Sequence, residues 1–188
     1  KKKGRMEMQA AGVPVPESWE ARNFPGAVVV GELFVLRRPK HAQGKDLWHG
    51  DAAYIHRMIR EHNVQDGYVG RLIDKVAEYR VYVIQGRVSC VAKKTPANPQ
   101  DVAWNVARGG SFDNVKWGEW PMAAIAAAVP AAELSGTDFC GVDVMVDGDG
   151  KAYVLEVNSA PSLTSPYRQS CFTKCFDHIV QNKSVAKI

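Results

Sequence analysis

The sequence predicts an α+β fold with two lobes, a smaller one before residue 75 and a larger one after it. Two observations carry this prediction. Strand-forming segments follow one another in pairs joined by short turns, which is typical of antiparallel hairpins. Helical periodicity occurs in separate stretches between and after these pairs. The 188 residues, 46% of them hydrophobic, are enough for one large domain or for two small lobes around a real core.

The predicted small lobe covers residues 27–74 and follows an N-terminal helix and connector at residues 1–26. Gly12 suits the end of the first helix, and the prolines of VPVPESW keep the connector extended. Asp51 is a helix-capping residue, and apolar residues recur after it at helical spacing. The predicted elements are a helix over residues 2–12, strands over 28–30 and 33–36, a loop over 37–50, a helix over 53–62 and a strand over 67–73.

The predicted large lobe covers residues 75–188. Residues 79–84 and 87–92 alternate around Gln85-Gly86, which indicates a hairpin. Residues 95–120 are rich in Pro, Asn, Gly and Trp and are predicted to form a long irregular segment of the functional kind. The remaining predicted elements are a helix over 122–134 that Pro130 kinks or splits, a hairpin with its turn at 147–150, and a helix over 167–181.

The second hairpin, GVDVMVDGDGKAYVLEVNSAP at residues 141–161, has three polar interruptions in otherwise apolar strands. These are Asp143, Glu156 and Asn158. Alternation along the strands predicts that the three side chains share one face with Val154, and that Glu156 is the diagonal neighbour of Asp143. The opposite face is predicted to carry an apolar stripe of Val142, Val144, Tyr153 and Leu155.

Two carboxylates held this close repel each other unless a positive charge lies between them. Hard oxygen ligands suit Mg²⁺, and an amide oxygen is a good neutral ligand but a poor base. The spacing therefore favours a metal site at Asp143, Glu156 and Asn158. Two other interpretations stay open, namely an exposed face with solvated acids and a metal-free pair for acid–base chemistry.

This segment, extended to Leu163, resembles the C-terminal metal-binding signature of the ATP-grasp superfamily. Other segments are similar to parts of that family and follow in its order over about residues 8–180. The most similar branch includes the ribosomal-protein glutamate ligases. The segments are AGVPVPESW, FVLRRPKHAQGKDLW, YVGRLID, EYRVYVIQGRV and VAWNVARGGSF.

The resemblance implies a nucleotide held between two antiparallel sheets, and it implies that the N-terminal domain which such enzymes place before this region is absent from this chain. It also implies roles for particular residues. ATP contacts would come from Arg38, Lys45, Tyr68, Leu72, Asp74, Arg80 and Lys94. One or two Mg²⁺ ions, with Mn²⁺ as a substitute, would be held by Asp143, Glu156 and Asn158. Asn105 and Arg108 would be catalytic, and Arg108 with Gly109 and Gly110 would stabilise the developing oxyanion or acylphosphate.

The implied activity is that of an ATP-dependent carboxylate–amine ligase. It would phosphorylate a carboxylate substrate, release ADP and phosphate, and join the acid to an amine of an amino acid, a peptide or a protein. Replacing Asp143 or Glu156 with alanine is expected to abolish turnover with little unfolding. The alternative is a non-catalytic ATP-binding or regulatory module, which is favoured by the departure from the family pattern at Arg38, where a lysine is usual.

Simpler roles stay open for several of these residues: Arg80 suits a surface ion pair, Lys94 suits a strand edge, and Arg38 suits a pair with Glu32. The net charge of +4 is too mild for a typical nucleic-acid binder, although KKKGR and the tryptophans keep that alternative open. No apolar run is long enough for a membrane span. The four scattered cysteines favour reduced thiols and a cytoplasmic protein, and the oligomeric state stays open.

Overall fold

The structure is a computed structural model that describes residues 2–26, 31–39, 46–104, 106 and 109–181. The chain divides into two compact units, Lys1–Asp74 and Lys75–Ile188. Each unit has its own antiparallel sheet together with helices, so the predicted α+β class is confirmed. None of the helices within the described ranges is long and apolar enough to cross a membrane.

The first unit contains a four-stranded sheet in the order β1-β4-β2-β3, with every pair antiparallel. Its core is built from the sheet and from α2, and Phe34, Leu36, Ile55 and Val69 are fully buried. The Asp51 side chain accepts a hydrogen bond from the Tyr54 backbone N–H at 2.8 Å, which confirms the predicted cap. The elements are α1 (Lys2–Ala10), β1 (Ser18–Glu20), β2 (Phe34–Arg37), β3 (Leu47–Gly50), α2 (Ala52–Glu61) and β4 (Tyr68–Arg71).

One prediction for the first unit is wrong. The end of the predicted loop over residues 37–50 is the strand β3, which pairs with β2 along its whole length. Four residues are too few to show a period, and the strand forms because Trp48 packs against the core of the unit. The predicted strand over 28–30 lies outside the described residues, as does Lys45.

The second unit contains a five-stranded antiparallel sheet in the order β7-β6-β5-β8-β9. The turn between β5 and β6 has positive φ at Gln85 and Gly86, +46° and +73°, as the predicted two-residue hairpin requires. The elements are β5 (Lys75–Ile84), β6 (Arg87–Thr95), β7 (Ser111–Val115), α3 (Met122–Ser135), β8 (Phe139–Asp147), β9 (Ala152–Asn158) and α4 (Pro166–Gln181).

Two helices cover opposite faces of this sheet. Phe172 of α4 packs with Tyr82 and Cys90 on one face. Residues that alternate with Tyr82, such as Val81, point to the other face and pair there with Val142, and both are fully buried. The alanine-rich α3 contacts β5, β8 and β9 and covers that second face.

Two predictions for the second unit need correction. The segment over 95–120 is not irregular throughout, because β7 forms the edge of the sheet against β6. Its sequence, SFDNV, is mostly exposed and polar, so it lacks the apolar pattern of a buried strand. The helix α3 also runs without a break through Pro130, so the predicted split is wrong, whereas a kink stays a prediction. Pro130 is exposed, and the alanines around it have the highest helix propensity.

Candidate functional site

The hairpin of β8 and β9 brings Asp143 directly opposite Glu156 rather than diagonally from it. Val144 pairs with Val154 farther along, and a bulge between these two pairs leaves Leu155 as the extra residue of β9. The predicted register is therefore wrong: Val154 shares the face of Val144 rather than that of Asp143, and Tyr153 lies opposite Met145 rather than on the Val144 face. The predicted grouping of Glu156 and Asn158 with Asp143 persists, because Asn158 pairs with Gly141, two residues before Asp143.

The carboxylate of Asp143 is held by two cations from neighbouring strands. Arg80 lies opposite it on β5 and donates from Nε to Oδ1 at 2.6 Å and from Nη2 to Oδ2 at 2.9 Å. Lys94 on β6 donates from Nζ to Oδ2, also at 2.9 Å. Only 3% of Asp143 is exposed, so these bonds replace its hydration.

Glu78 extends this ion pairing along the same face. It lies opposite Lys94 in the sheet and accepts a hydrogen bond from the Lys94 ammonium group. Its other oxygen accepts from Lys75 Nζ at 2.6 Å. We call Lys75, Glu78, Arg80, Lys94 and Asp143 the ion-pair cluster.

Electrostatics keep Asp143 and Lys94 of this cluster ionised. Burial opposes the charge of Asp143, but Lys94 and Arg80 outweigh that effect and hold the pKa of Asp143 below its ordinary value. Burial likewise opposes the charge of Lys94, and Asp143 and Glu78 outweigh it and raise the pKa of Lys94. At neutral pH the cluster therefore contains a carboxylate that does not serve as a proton acceptor, next to fixed positive charges.

The predicted metal ligands fit Mg²⁺ in donor chemistry. Asp143, Glu156 and Asn158 contribute carboxylate and amide oxygens from one face. The Asn158 Nδ2 is sealed from solvent and has no hydrogen-bond partner within the described ranges. Flipping the amide would put its oxygen at this position, where it could face a cation. Among the described residues no three His, Cys, Asp or Glu side chains converge, so the amide oxygen is needed to complete the set.

Gly141 allows the loop after β9 to pack against this face of the sheet. A Cβ atom at Gly141 would lie 2.7 Å from Cβ of Pro161 and 3.1 Å from Cδ of Arg80. The absence of a side chain therefore lets Pro161 pack beside Arg80. Pro161 is buried there, three residues after Asn158.

The region that carries this arrangement of strands and side chains matches a known protein family. The model of the family described as "ATP-grasp domain, R2K clade family 3" matches residues 14–181. The chain is a member of this ATP-grasp family. The resemblance seen in the sequence is therefore confirmed.

Curated relatives of this ATP-grasp domain match about half of the chain. A probable alpha-L-glutamate ligase of Aeromonas salmonicida is 37% identical over 87 residues, which cover 46% of this chain and 28% of the relative. One from Vibrio parahaemolyticus is 36% identical over 89 residues, with 47% and 28% covered. The matched region is thus little more than a quarter of each relative's own length.

Solved structures share the fold over nearly the whole chain. The ATP-grasp ligase PsnB, complexed with a minimal precursor, has a TM-score of 0.64 and 19% identity, with 94% of this chain and 60% of that chain covered. D-alanine–D-alanine ligase from Bacillus anthracis has a TM-score of 0.68 and 15% identity, with 96% and 66% covered. The predicted ATP-grasp fold is therefore confirmed.

The second unit of this ATP-grasp domain brings together five of the predicted site residues on one sheet face. They are Arg80, Lys94, Asp143, Glu156 and Asn158. The predicted catalytic residues Asn105 and Arg108 lie outside the described residues, as does the predicted phosphate ligand Lys45.

The first unit contains the other four predicted ATP contacts. Arg38 lies 3.6 Å from Asp46 and donates to the His62 carbonyl at 3.3 Å; Glu32 pairs with Arg71 instead. The other three residues differ in their environments. Tyr68 is buried, the Leu72 backbone N–H donates to the Leu33 carbonyl, and Asp74 is exposed.

Sequence reasoning missed Glu78 and Arg168. Glu78 had a signal, because it lies two residues before Arg80 on an alternating strand and so shares its face. Arg168 had none, because its burial depends on how α4 docks against the sheet.

Proposed function

We propose that this chain is the ATP-binding and catalytic part of an ATP-dependent carboxylate–amine ligase. The observation that carries the proposal is the ionised Asp143, held by Arg80 and Lys94 and placed opposite Glu156. This arrangement lies within the region that matches the ATP-grasp family. Relatives named as probable glutamate ligases support the reaction class.

Within the described part of the chain, Arg80 and Lys94 have donors left for a phosphate after they bind the carboxylates. A guanidinium has five N–H donors, and Arg80 uses two of them on Asp143. An ammonium has three, and Lys94 uses two, one on Glu78 and one on Asp143. The carboxylates fix both cations in place, and the remaining N–H groups are the ones we assign to the oxygens of the γ-phosphate.

Asp143, Glu156 and Asn158 would hold Mg²⁺, whose chemistry is to neutralise charge on the phosphates of ATP. Among the described residues Asp143 accepts three hydrogen bonds, which leaves about one lone-pair site, so Glu156 and Asn158 are the main ligands that we propose. We also propose that Arg38, Lys45, Tyr68, Leu72 and Asp74 bind the nucleotide. Asn105 and Arg108 would contact the acyl group.

The proposed reaction has two steps. A carboxylate oxygen of the acid substrate attacks the γ-phosphorus, the bond to the bridging oxygen breaks, and ADP leaves. The nitrogen of the amine substrate then attacks the carbonyl carbon of the acylphosphate, inorganic phosphate leaves with the bonding electrons, and the nitrogen loses a proton. The product is an amide or a peptide bond. A cytoplasmic location remains part of this proposal.

The test is ADP release by the full-length protein with Mg-ATP, L-glutamate and a pool of peptides. We expect ADP and phosphate in equal amounts and only when an acid and an amine are both present. Glu156→Gln is expected to reduce the rate at least about a hundredfold, as the loss of a charged ligand to the ion that neutralises the phosphates. Formation of AMP and pyrophosphate instead would contradict the proposed chemistry.

A second candidate is a nucleotide-binding module without turnover. The observation in its favour is that both oxygens of Asp143 already bind cations of the chain itself, which leaves little capacity for a metal. Calorimetry that shows ATP binding, with no ADP release against amino acids and peptides, would favour this candidate. Equal ATP affinity with and without Mg²⁺ would support it further.

A further inference from the structure

Arg168 lies in the first turn of α4 and has only 5% of its surface exposed. Its guanidinium carbon lies 6.0 Å from the ring centroid of Tyr82 and 5.8 Å from that of Phe112. Phe172, one turn along the helix, is buried against Tyr82 and fixes α4 on the sheet. The charge is therefore held among aromatic rings rather than in water.

No acceptor among the described residues compensates this charge. Nε and Nη1 of Arg168 are sealed from solvent, and neither has a hydrogen-bond partner within the part of the chain that the structure describes. Aromatic faces attract a cation but do not satisfy its N–H groups as an oxygen does. A buried guanidinium without an acceptor is a costly arrangement for a folded protein, and a bound anion removes the cost.

The neighbouring carboxylates of Asp143 and Glu78 do not compensate the charge of Arg168, because they pair with other cations. Arg80 and Lys94 lie over the same Phe112 ring, at 4.8 and 5.7 Å from its centroid, and both bind Asp143. Glu78 is taken up by Lys94 and Lys75. Three cations thus surround one ring, and Arg168 is the one of the three that has no ion pair with a described residue.

We propose that Arg168 forms a carboxylate-binding subsite next to the ion-pair cluster, and that it takes the carboxylate of a substrate amino acid or peptide. The identity of the ligand as a substrate rests on the proposed ligase function; the anion site itself does not. Nη2 shares one edge of the guanidinium with Nε and the other edge with Nη1. A planar group with two oxygens can therefore dock on either edge and satisfy one of the sealed nitrogens.

One uncompensated positive charge matches one carboxylate better than a phosphate, which carries nearly two negative charges. The location agrees with a substrate role. Arg80 reaches Asp143 on one side and shares the Phe112 ring with Arg168 on the other. The carboxylate would therefore lie on the Tyr82 side of Arg80, on the sheet face that carries the proposed reaction site.

The experiment compares Arg168→Met with Lys174→Met in the full-length protein. Both variants remove one positive charge from α4, and Lys174 is exposed. Calorimetry would measure the binding of L-glutamate, glutarate, glutamate α-amide, inorganic phosphate and ATP. We expect Arg168→Met to weaken carboxylate binding by roughly 10- to 100-fold, the usual effect of losing hydrogen bonds to a charged group, and Lys174→Met to leave it unchanged. ATP binding should stay within about twofold in both.

A purely structural arginine predicts a different pattern. Because the charge has no acceptor among the described residues, Arg168→Met should melt at the same temperature as the wild type or higher when no ligand is present. A lower melting temperature with unchanged carboxylate affinity would overturn the proposal. Binding of phosphate but of none of the three carboxylates by the wild type would overturn it as well.

The ligands also distinguish the source of the carboxylate. If Arg168→Met weakens the binding of glutamate but not that of its α-amide, the site binds an α-carboxylate. Glutarate has no amine and can serve only as the acid, so an equal loss of glutarate binding assigns the site to the acid substrate. Failure of the subsite would appear as equal affinities in both variants while ADP release persists. Failure of the ligase proposal would appear as no ADP release while the affinities still differ.

Discussion

Replacing Asp143 with asparagine keeps the shape of the side chain and removes its charge. That charge is matched by two hydrogen bonds from Arg80, at 2.6 and 2.9 Å, and by one from Lys94 at 2.9 Å. Water cannot take over, because only 3% of Asp143 is exposed. The new amide NH₂ group would also face donors of the two cations. We therefore expect a large loss of stability, in contrast to the little unfolding expected from the sequence.

The magnitude follows from the buried ion pair. Removing one partner of such a pair typically costs about 3–5 kcal/mol, since the other charge is left buried. The asparagine oxygen still accepts one hydrogen bond from the cations, so the loss stays within this range. At about 2–4 °C per kcal/mol for a chain of this size, the melting temperature should fall by roughly 6–20 °C.

The assay is thermal unfolding of Asp143→Asn next to Glu156→Gln, its cross-strand neighbour. Glu156 is only half-buried, so water can solvate the new amide, and the control should lose less than about 1 kcal/mol of unfolding free energy. Both variants should lose ADP release. Equal melting temperatures, within about 2 °C, would refute the view that the ion pairs of Asp143 hold the sheet together.

Three further outcomes are expected. Gly141→Ala should push Pro161 off the sheet, cost about 1–3 kcal/mol of unfolding free energy and slow ADP release; Gly148→Ala is the control, since a Cβ atom added there would meet nothing within 4 Å beyond its chain neighbours. The pKa of Asp143 is lower in the folded state, so its contribution to stability is present above the ordinary value of 3.8 and is lost as the pH falls below it; acid unfolding of Asp143→Asn should therefore depend less on pH in that range. Thiol labelling in mild alkali should show two slow and two faster cysteines, and four equally fast thiols would contradict the fold. The slow pair is buried and the faster pair is partly exposed: Cys90 and Cys140, then Cys171 and Cys175.

Local signals were enough for the elements whose cause is local. The cap at Asp51 is a bond between residues three positions apart, and the turn at Gln85-Gly86 needs only two residues with positive φ. The pattern of β5 likewise placed Arg80 on the face away from the buried valines. The fold class and part of the site follow from such patterns, because the period of two assigns side chains to faces without knowledge of the partner strand.

Elements that depend on partners distant in the sequence could not be predicted from local patterns. The strand β7 is an edge strand with polar, mostly exposed residues, and it is a strand because its whole length pairs with β6. The burial of Arg168 depends on the docking of α4, which no local pattern encodes. The sequence also could not show that Arg80 and Lys94 both bind Asp143, since that requires the order of β6, β5 and β8 in the sheet.

The bulge at Leu155 lets one hairpin place valines on one face of the sheet and carboxylates on the other. With the register of Val144 and Val154 continued unbroken, Asp143 would lie opposite Leu155, and Glu156 would point with Val142 toward α3. A carboxylate there would be buried among fully enclosed valines and alanines, at a high cost in free energy. The extra residue shifts the pairing by one, so the valines stay on the α3 face while both carboxylates reach the ion-pair cluster. The site therefore depends on an irregularity of the ladder, and the hairpin pattern alone predicts the residues that meet but not the register that makes them meet.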